Sequence, residues 1–523
     1  MLFFGFILLM LLACGYMIIG SDLILSFNTL LLSGGHWEPI AHIDIVTMLI
    51  FLMLTVCYGY AFYYTSHYFG GSVDGLQLSK LIFLFVSVMA SLIFTGDYLS
   101  TLMFWEYLGV VSFFLILFYS NYLSLRSSVV TLVSSRFGDV CLFLIIALSL
   151  YNTELHPVVL LICFFLVIMT KSAGFPFISW LLEAMRAPTP VSSLVHSSTL
   201  VAAGVWFAMR YNMFVYFNDS GLFLIVLLLT ILITGSCCFF FLDLKKIVAL
   251  STCNNISWCI VYLLCGDIIL SLFQLVSHGV SKCLLFMLVG DVMSGSGGSQ
   301  ASNCVYSPRL YGNWGMFGLF SVILGLSGAP FIGVFFTKHF LLSTFSSGVN
   351  IVFYALLLFC VFLSYFYSFR LCSVLSNINL SGVSGVLFAF DSGLMVFFWL
   401  VINYFIATTM DEYSAVGGIA SFTLIIFQIV SCLTAYYLFS STLLSSWSSC
   451  LFGCDNLVEK LYNDYMLLKN WSSLNYFRWD HYVLSTLNGF GSYGVRLYNV
   501  YLLNILMISI IFTLMCCFIL YNH

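Results

Sequence analysis

Apolar stretches about as long as a bilayer core is thick follow one another through nearly the whole chain, and no other feature limits its fold so severely. A helix of about 20 such residues crosses the hydrocarbon layer, where every backbone amide and carbonyl must find its partner inside the segment. The sequence therefore predicts an all-α polytopic membrane protein. By the criterion of roughly 20 residues, about fifteen transmembrane helices are expected. They fall near 1 to 19, 42 to 65, 79 to 95, 98 to 120, 128 to 151, 157 to 181, 190 to 211, 220 to 241, 244 to 265, 268 to 291, 313 to 345, 349 to 375, 391 to 410, 417 to 440 and 500 to 520. Of 523 residues, 62% are hydrophobic and 7% charged, a balance that would leave a soluble domain aggregating.

The first stretch has no basic residue before it and no clear small-residue cleavage site after it, so it reads as a retained helix rather than a signal peptide. The 18 cysteines are scattered through apolar runs without a C-x-x-C pair, which implies small hydrophobes and neither an iron-sulfur cluster nor a disulfide framework. A net charge of -4 does not call for a nucleic-acid partner, and no P-loop or dinucleotide-binding glycine pattern is present. Lys80, Arg126, Arg186, Lys245, Lys246, Arg309 and Arg370 lie near even-numbered connections between spans, whereas Arg210 stands almost alone on the odd side. The even side is therefore expected to face the negative, cytoplasm-like or matrix-like compartment.

Four ionisable residues break this pattern from inside it. Lys171 lies in LICFFLVIMTKSAGFPFISWLLEAM, Glu106 in TLMFWEYLGVV, Lys282 in SHGVSKCLLFML and Lys338 in PFIGVFFTKHFLL. A charge at the bilayer centre costs about 2.5–3.5 kcal/mol on insertion scales, and such residues commonly line ion or proton paths. Two of the spans are also interrupted: KSAGFPF follows Lys171, and GAPF precedes Lys338. Broken helices in corresponding halves are a trace of inverted-repeat transporters, in which half-helix ends meet ions at mid-membrane; functionless proline kinks are the competing reading.

A proton path needs groups that exchange a proton near neutral pH, and burial moves lysine and glutamate toward that range. Lys171, Lys282 and Lys338 fit such stations. Glu106 is expected to pair with Lys171, so that protonating one changes the proton affinity of the other; the bland reading is a static salt bridge. His196, beside Ser197, Ser198 and Thr199, could connect to water chains. His278 and Lys282 are four apart and share a helix face. Either histidine could instead be a packing hydrogen bonder. Asp243, Lys245 and Lys246 stand at a span entrance, as path residues or interfacial anchors. Arg136 and Asp139 form a local pair or line the polar interior, and Asp97 reads as interfacial. The segment from 442 to 499 mixes Asp455, Glu459, Lys460, Asp464, Lys469, Arg478 and Asp480 with Leu457, Leu461, Tyr465 and Leu468 at helical spacing. It predicts an amphipathic helix on the membrane surface, or else a solvated linker.

His196 lies within KSAGFPFISWLLEAMRAPTPVSSLVHSSTLVAAGV, and this run resembles the signature of the chain 5 subunits of NADH:ubiquinone oxidoreductase, the distal antiporter-like subunits of respiratory complex I. Further matches are HID at 42 to 44, FWEYLGVVSFFLI from 104, RFGDV at 136 to 140, DLKKIVALST from 243, HGVSKCLLF from 278 and GAPFIGVFFTK ending at Lys338. They run in order over about 42 to 345. The resemblance implies two inverted-repeat bundles with broken helices, a lateral amphipathic helix and a final anchoring span. The expected division is 1–78 for N-terminal helices, 79–211 and 212–375 for the antiporter-like halves, 376–440 for additional helices, 441–499 for the lateral helix and 500–523 for the anchor.

Carried over by motif, Glu106 and Lys171 become the coupled carboxylate and lysine, with His196, Lys245, Lys246, His278 and Lys282 on the hydrophilic axis. Lys338 becomes the lysine of the second broken helix, and Asp139 and Asp243 support the path. The resemblance further implies proton translocation without a redox centre in this chain. NADH, FMN, iron-sulfur clusters and ubiquinone belong to other subunits. Expected partners are the other membrane-arm subunits, neighbouring antiporter-like chains among them, accessory subunits and lipids such as cardiolipin. Gly174, Leu182, Glu183 and His339 depart from the family's usual glutamine, proline, aspartate and aspartate. The short N-terminal region predicts one span fewer than the family's usual number. The abundance of Phe, Tyr, Leu and Ser with few Lys and Arg fits an organellar gene product of the mitochondrial inner membrane, its basic side toward the matrix. A stand-alone Mrp-type cation/proton antiporter, using the same lysines without an electron donor, is the alternative, and an assembly scaffold with structural ion pairs is the non-transport rival.

Overall fold

The computed structural model describes residues 22–26, 39–151, 157–212, 214, 221–307, 312–329, 332–345, 351–376, 379–380, 390–409, 418–438, 454–488, 504–505, 507–513 and 515. The expected span near 1 to 19 lies outside these residues, as do Arg309, Pro330, Phe331 and most of the span near 500 to 520.

Contacts divide the chain into two units, Met1–Cys454 and Asp455–His523. The first contains α1 (Ile45–Phe69), α2 (Val73–Phe94), α3 (Tyr98–Ile116), α4 (Tyr122–Tyr151), α5 (Pro157–Lys171), α6 (Ser179–Ala184), α7 (Thr189–Leu194), α8 (Leu200–Tyr211), α9 (Gly221–Phe240), α10 (Leu244–Leu264), α11 (Ile268–Ser294), α12 (Gly312–Ser327), α13 (Phe335–Phe345), α14 (Ile351–Ser376), α15 (Gly393–Thr409) and α16 (Gly418–Leu438). Among the described residues, 10 helices are long and apolar enough to cross a membrane, and three shorter apolar ones accompany them. Together they account for every expected span from 42 to 440. The second unit contains α17 (Cys454–Asn488), a single 35-residue helix over the stretch predicted to be amphipathic. Its described side chains, Leu461, Tyr465 and Leu468 among them, are largely exposed.

The chain enters the bundle through a short hairpin. β1 (Leu23–Ser26) pairs antiparallel with β2 (Ile40–Ile43), Leu23 opposite Ile43. Asp44 then caps α1: its Oδ1 accepts from Thr47 N at 2.8 Å while Asp44 N donates to Thr47 Oγ1 at 2.8 Å, a reciprocal capping box that starts the helix abruptly. Gly70, in the left-handed conformation at φ 56°, ends it and turns the chain back into α2.

Short connections return the chain to the same end of the bundle each time. Lys80, Arg126, Arg186, Lys245 and Arg370 therefore share one end, while His42, Asp44 and Arg210 share the other. By the same count α5 and α12, each ending at an interruption, run in opposite directions. The helices differ sharply in surroundings. Over the most apolar 18 residues of Thr189–Tyr211 every residue is buried, and over those of α10 and α11 94% are, against 17% for the span ending at Leu438. A helix enclosed on every face can carry polar side chains that lipid would reject, and these central helices hold His196, Lys245, His278 and Lys282.

Candidate functional site: a buried row of cations

Helix α5 ends at Lys171 because Ala173 adopts the left-handed conformation, φ 56°. Breaking a helix at this depth frees carbonyls, each costing about 1–3 kcal/mol if left unpaired. The neighbours meet them. Trp180 Nε1 donates to Thr170 O at 3.0 Å, and Cys253 Sγ to Ala173 O at 2.9 Å. Ser172 donates to Ile168 O from its amide at 2.9 Å and from its hydroxyl at 2.7 Å. Gly204 of α8 permits this crowding, since a β-carbon there would stand 2.9 Å from Ile168 O.

Lys171 is 1% exposed, with its ammonium 5.1 Å from the Trp105 ring centre. The expected ion pair with Glu106 is not the one formed. Glu106 bonds Arg136 on the adjacent α4, and Arg136 also reaches Asp139 at 3.4 Å. One guanidinium nitrogen, Nη1, donates to both carboxylates at once from a helix packed alongside α3. Glu106 and Asp139 still lie close enough to Lys171 to act on it electrostatically. The predicted pair is thus a cluster of two carboxylates and two cations.

A cavity of about 10 Å³ adjoins Lys171 and His196, lined also by Ser112, Thr131, Ser134, Ser135 and Thr170. It has room for about one water molecule. All five hydroxyls donate to carbonyls of their own helices, those of Gly109, Ser128, Thr131, Leu132 and Val167 in turn.

His196 belongs to a π turn, Val195–Thr199, inserted between α7 and α8, a feature common at functional sites. Ser197, Ser198 and Thr199, expected to help His196 connect to water chains, follow it in the same turn. Their hydroxyls donate to the carbonyls of Ser193 and Leu194 within the same helix. The wider turn displaces amides from these carbonyls, and local hydroxyls take their place. Neither ring nitrogen of His196 or of His278 has a hydrogen-bond partner.

The remaining lysines are held by carbonyls and hydroxyls. Lys245 Nζ donates to Ala187 O at 3.2 Å. Lys282 Nζ, one turn beyond His278 on α11, donates to Val248 O at 3.4 Å and to Ser251 Oγ of α10. Lys338 Nζ donates to Ser327 O, at the second break, at 2.5 Å and to Ser364 Oγ at 2.7 Å, and lies 4.6 Å from the Tyr365 ring centre. At the same break Gly328 takes φ 96°, and its carbonyl accepts from Gln428 Nε2 at 3.1 Å. Lys246 and Asp243 stand apart from this row. They pair with each other at 3.3 Å, both more than a third exposed, in the manner of an interfacial anchor. His339 is buried but stacks on Phe335 at 4.4 Å between ring centres. Among the described residues no three His, Cys, Asp or Glu side chains are placed to hold a metal ion.

Two buried arginines carry polar networks that the reading of the sequence used only for orientation. Arg370 donates to Cys238 O at 2.7 Å and Phe241 O at 3.0 Å, closing the end of α9. Arg210 pairs with Asp44 at 2.9 Å and His42 Nδ1 at 2.6 Å. Arg370 lies in an apolar run, SYFYSFRLCSVL, so the rule that singled out the lysines would have found it.

Two interrupted helices of opposite direction, each ending near a buried lysine, with further cations in the enclosed helices between them, define an antiporter-like polytopic membrane protein. The chain belongs to the NADH:quinone oxidoreductase/Mrp antiporter transmembrane family, whose profile matches residues 95–366. It is 33% identical over 316 residues to NADH-ubiquinone oxidoreductase chain 5 of Caenorhabditis elegans, covering 59% of this chain and 60% of that one. It is 35% identical over 351 residues to the protein of that name from Mytilus edulis, covering 63% and 60%. The chain thus spans about 60% of the length of the curated relatives it matches. Among solved structures it is similar to a chain of the Mrp complex from Dietzia, with TM-score 0.71, 21% identity and coverage of 96% of this chain and 59% of that one. A chain of an archaeal membrane-bound sulfane sulfur reductase matches with TM-score 0.62 at 17% identity, covering 82% and 92%. These two likenesses establish the fold.

Proposed function

We propose that this chain is a proton-translocating membrane-arm subunit of a respiratory NADH:ubiquinone oxidoreductase. The observation that carries the proposal is the row of enclosed cations, Lys171, Lys245, Lys282 and Lys338, interleaved with His196 and His278, whose ring nitrogens have no protein partner. Amines held by neutral carbonyls and hydroxyls can lose a proton without leaving an uncompensated buried anion, and an imidazole with free nitrogens can take one up and pass it on. The cluster of Glu106, Arg136, Asp139 and Lys171 supplies the coupling, because any shift of Arg136 alters the field at Lys171. Lys246 and Asp243 act as an anchor beside the path.

In this reading the nicotinamide, flavin, iron-sulfur and quinone chemistry lies in other subunits. The partners are the other membrane-arm chains and accessory subunits, with cardiolipin among the lipids. The location is the mitochondrial inner membrane, and the end bearing Lys80, Arg126 and Arg370 faces the matrix. The test begins with a native gel of gently solubilised membranes stained for NADH dehydrogenase activity, with peptides of this chain mapped by mass spectrometry. Comigration with the active high-mass band is expected. A low-mass band without activity, together with sodium-dependent proton movement in vesicles lacking NADH, would replace the proposal by a stand-alone antiporter. Within the complex, Lys171→Ala should lower the number of protons moved per electron pair while assembly persists; an unchanged ratio would remove Lys171 from the path.

A further inference from the structure

A second titratable cluster lies at the basic end of the bundle, apart from the row of lysines. Asp291, in the last turn of α11, is 4% exposed, yet its Oδ1 stands 3.6 Å from Nε2 of His67, in the last turn of α1 and 30% exposed. The other oxygen, Oδ2, accepts from Phe390 N at 3.3 Å. A part-exposed imidazole on a buried carboxylate connects solvent with interior, since its ring nitrogens can both donate and accept a proton.

What lies behind the pair turns it toward the axis. One residue before Asp291, Gly290 leaves room for two hydroxyl side chains: a β-carbon there would be 2.6 Å from the Tyr64 hydroxyl and 3.3 Å from Thr189 Cβ. Tyr64 and Thr189 are 0% and 3% exposed; their hydroxyls interact with each other, and neither bonds a backbone carbonyl. Two hydroxyls with only each other for partners call for an explanation in an interior where most side-chain hydroxyls bond the backbone. Asp291 is near enough to Tyr64 to interact with it electrostatically, as is Tyr68. Thr189 opens α7 two residues after Ala187, whose carbonyl holds the Lys245 ammonium at 3.2 Å.

We propose that His67 and Asp291 form the inlet through which protons reach the buried axis from the basic end, handed on by Tyr64 and Thr189 toward Lys245. The N–H bond at His67 Nε2 breaks as an O–H bond forms at Asp291 Oδ1. The carboxylic proton then passes to the Tyr64 oxygen, directly or across a bridging water, while the phenol's own proton moves to Thr189 Oγ1 and the threonine's own hydroxyl proton leaves for Lys245 in its neutral amine form. His67 recovers its proton from solvent. Neither hydroxyl is tied to a carbonyl, and a relay group bonded permanently to one could not turn over.

This inference rests on the proton-translocating reading, and the experiment separates the two. The intact complex carrying Tyr64→Phe, Asp291→Asn or Lys282→Ala is placed in vesicles, and NADH-driven proton movement is measured per electron pair. Tyr64→Phe deletes a hydroxyl that bonds no backbone group, so a merely structural role would leave pumping unmoved in the assembled complex. Asp291→Asn keeps an acceptor for Phe390 N. The expected result is that both variants lose the same share of the ratio as Lys282→Ala. Loss in Lys282→Ala with normal pumping in Tyr64→Phe and Asp291→Asn overturns the inlet and leaves the proposed function standing. Normal pumping in Lys282→Ala overturns both.

Discussion

Two glycines beside Lys171 should respond to the same added methyl group with opposite sign. Gly109 of α3 faces the Lys171 ammonium across 3.9 Å and Ser135 Oγ across 4.0 Å, measured from where a β-carbon would stand. That is ordinary van der Waals contact, so Gly109→Ala retains the helix preference of alanine over glycine, about 1 kcal/mol. Gly204→Ala gains the same preference, but its β-carbon would lie 2.9 Å from Ile168 O and 3.2 Å from Ser172 N. Both are backbone atoms of the turn that ends α5, joined to each other by a 2.9 Å hydrogen bond, so neither can yield without disturbing the break. Overpacking of this kind costs about 1–3 kcal/mol. Comparing the two variants cancels the helix preference and leaves the steric cost, an expected separation of about 1–3 kcal/mol with Gly204→Ala the less stable. Cys163 and Cys283 are buried thiols outside any disulfide, which permits thermal unfolding of the purified protein to be followed with a thiol-reactive dye. Equal midpoints, or a higher one for Gly204→Ala, would show that the break is not packed as described.

Arg370→Met should strip the carbonyls of Cys238 and Phe241 of their partner and destabilise by about 1–3 kcal/mol for each carbonyl, with Arg370→Lys recovering part of the loss in the same dye assay. Trp180→Phe leaves Thr170 O unpaired and should cost about 1–3 kcal/mol, again read from the melting midpoint. Ala173→Gly should raise that midpoint, because the left-handed conformation at φ 56° costs a residue with a β-carbon about 1–2 kcal/mol. Lys246→Ala should change stability by less than about 1 kcal/mol and leave proton pumping intact, since its partner Asp243 sits with it at the exposed start of α10.

The spans were legible because length and hydropathy alone decide them, and so were the breaks, since glycine, proline and a lysine coincide at each. Lys171, Lys282 and Lys338 stood out for the same reason: a charge in an apolar run is conspicuous in one dimension. The partner of Glu106 was not legible, because Arg136 lies 30 positions away on another helix and only packing brings it near. The π turn at His196 has no local signature, as its residues would serve an α-helix equally well. Nor does any spacing announce the meeting of His67 with Asp291, which depends on α1 lying against α11.

The hydroxyls around the cavity beside Lys171 carry a consequence of their own. Each has directed its single proton into its own helix, so what it turns toward the cavity is oxygen lone pairs. The chamber is thus lined with partial negative charge although none of those five residues can ionise. Such a lining welcomes an ammonium or a hydronium ion and repels hydroxide or chloride, so selection by charge sign is written into the wall independently of any titrating group.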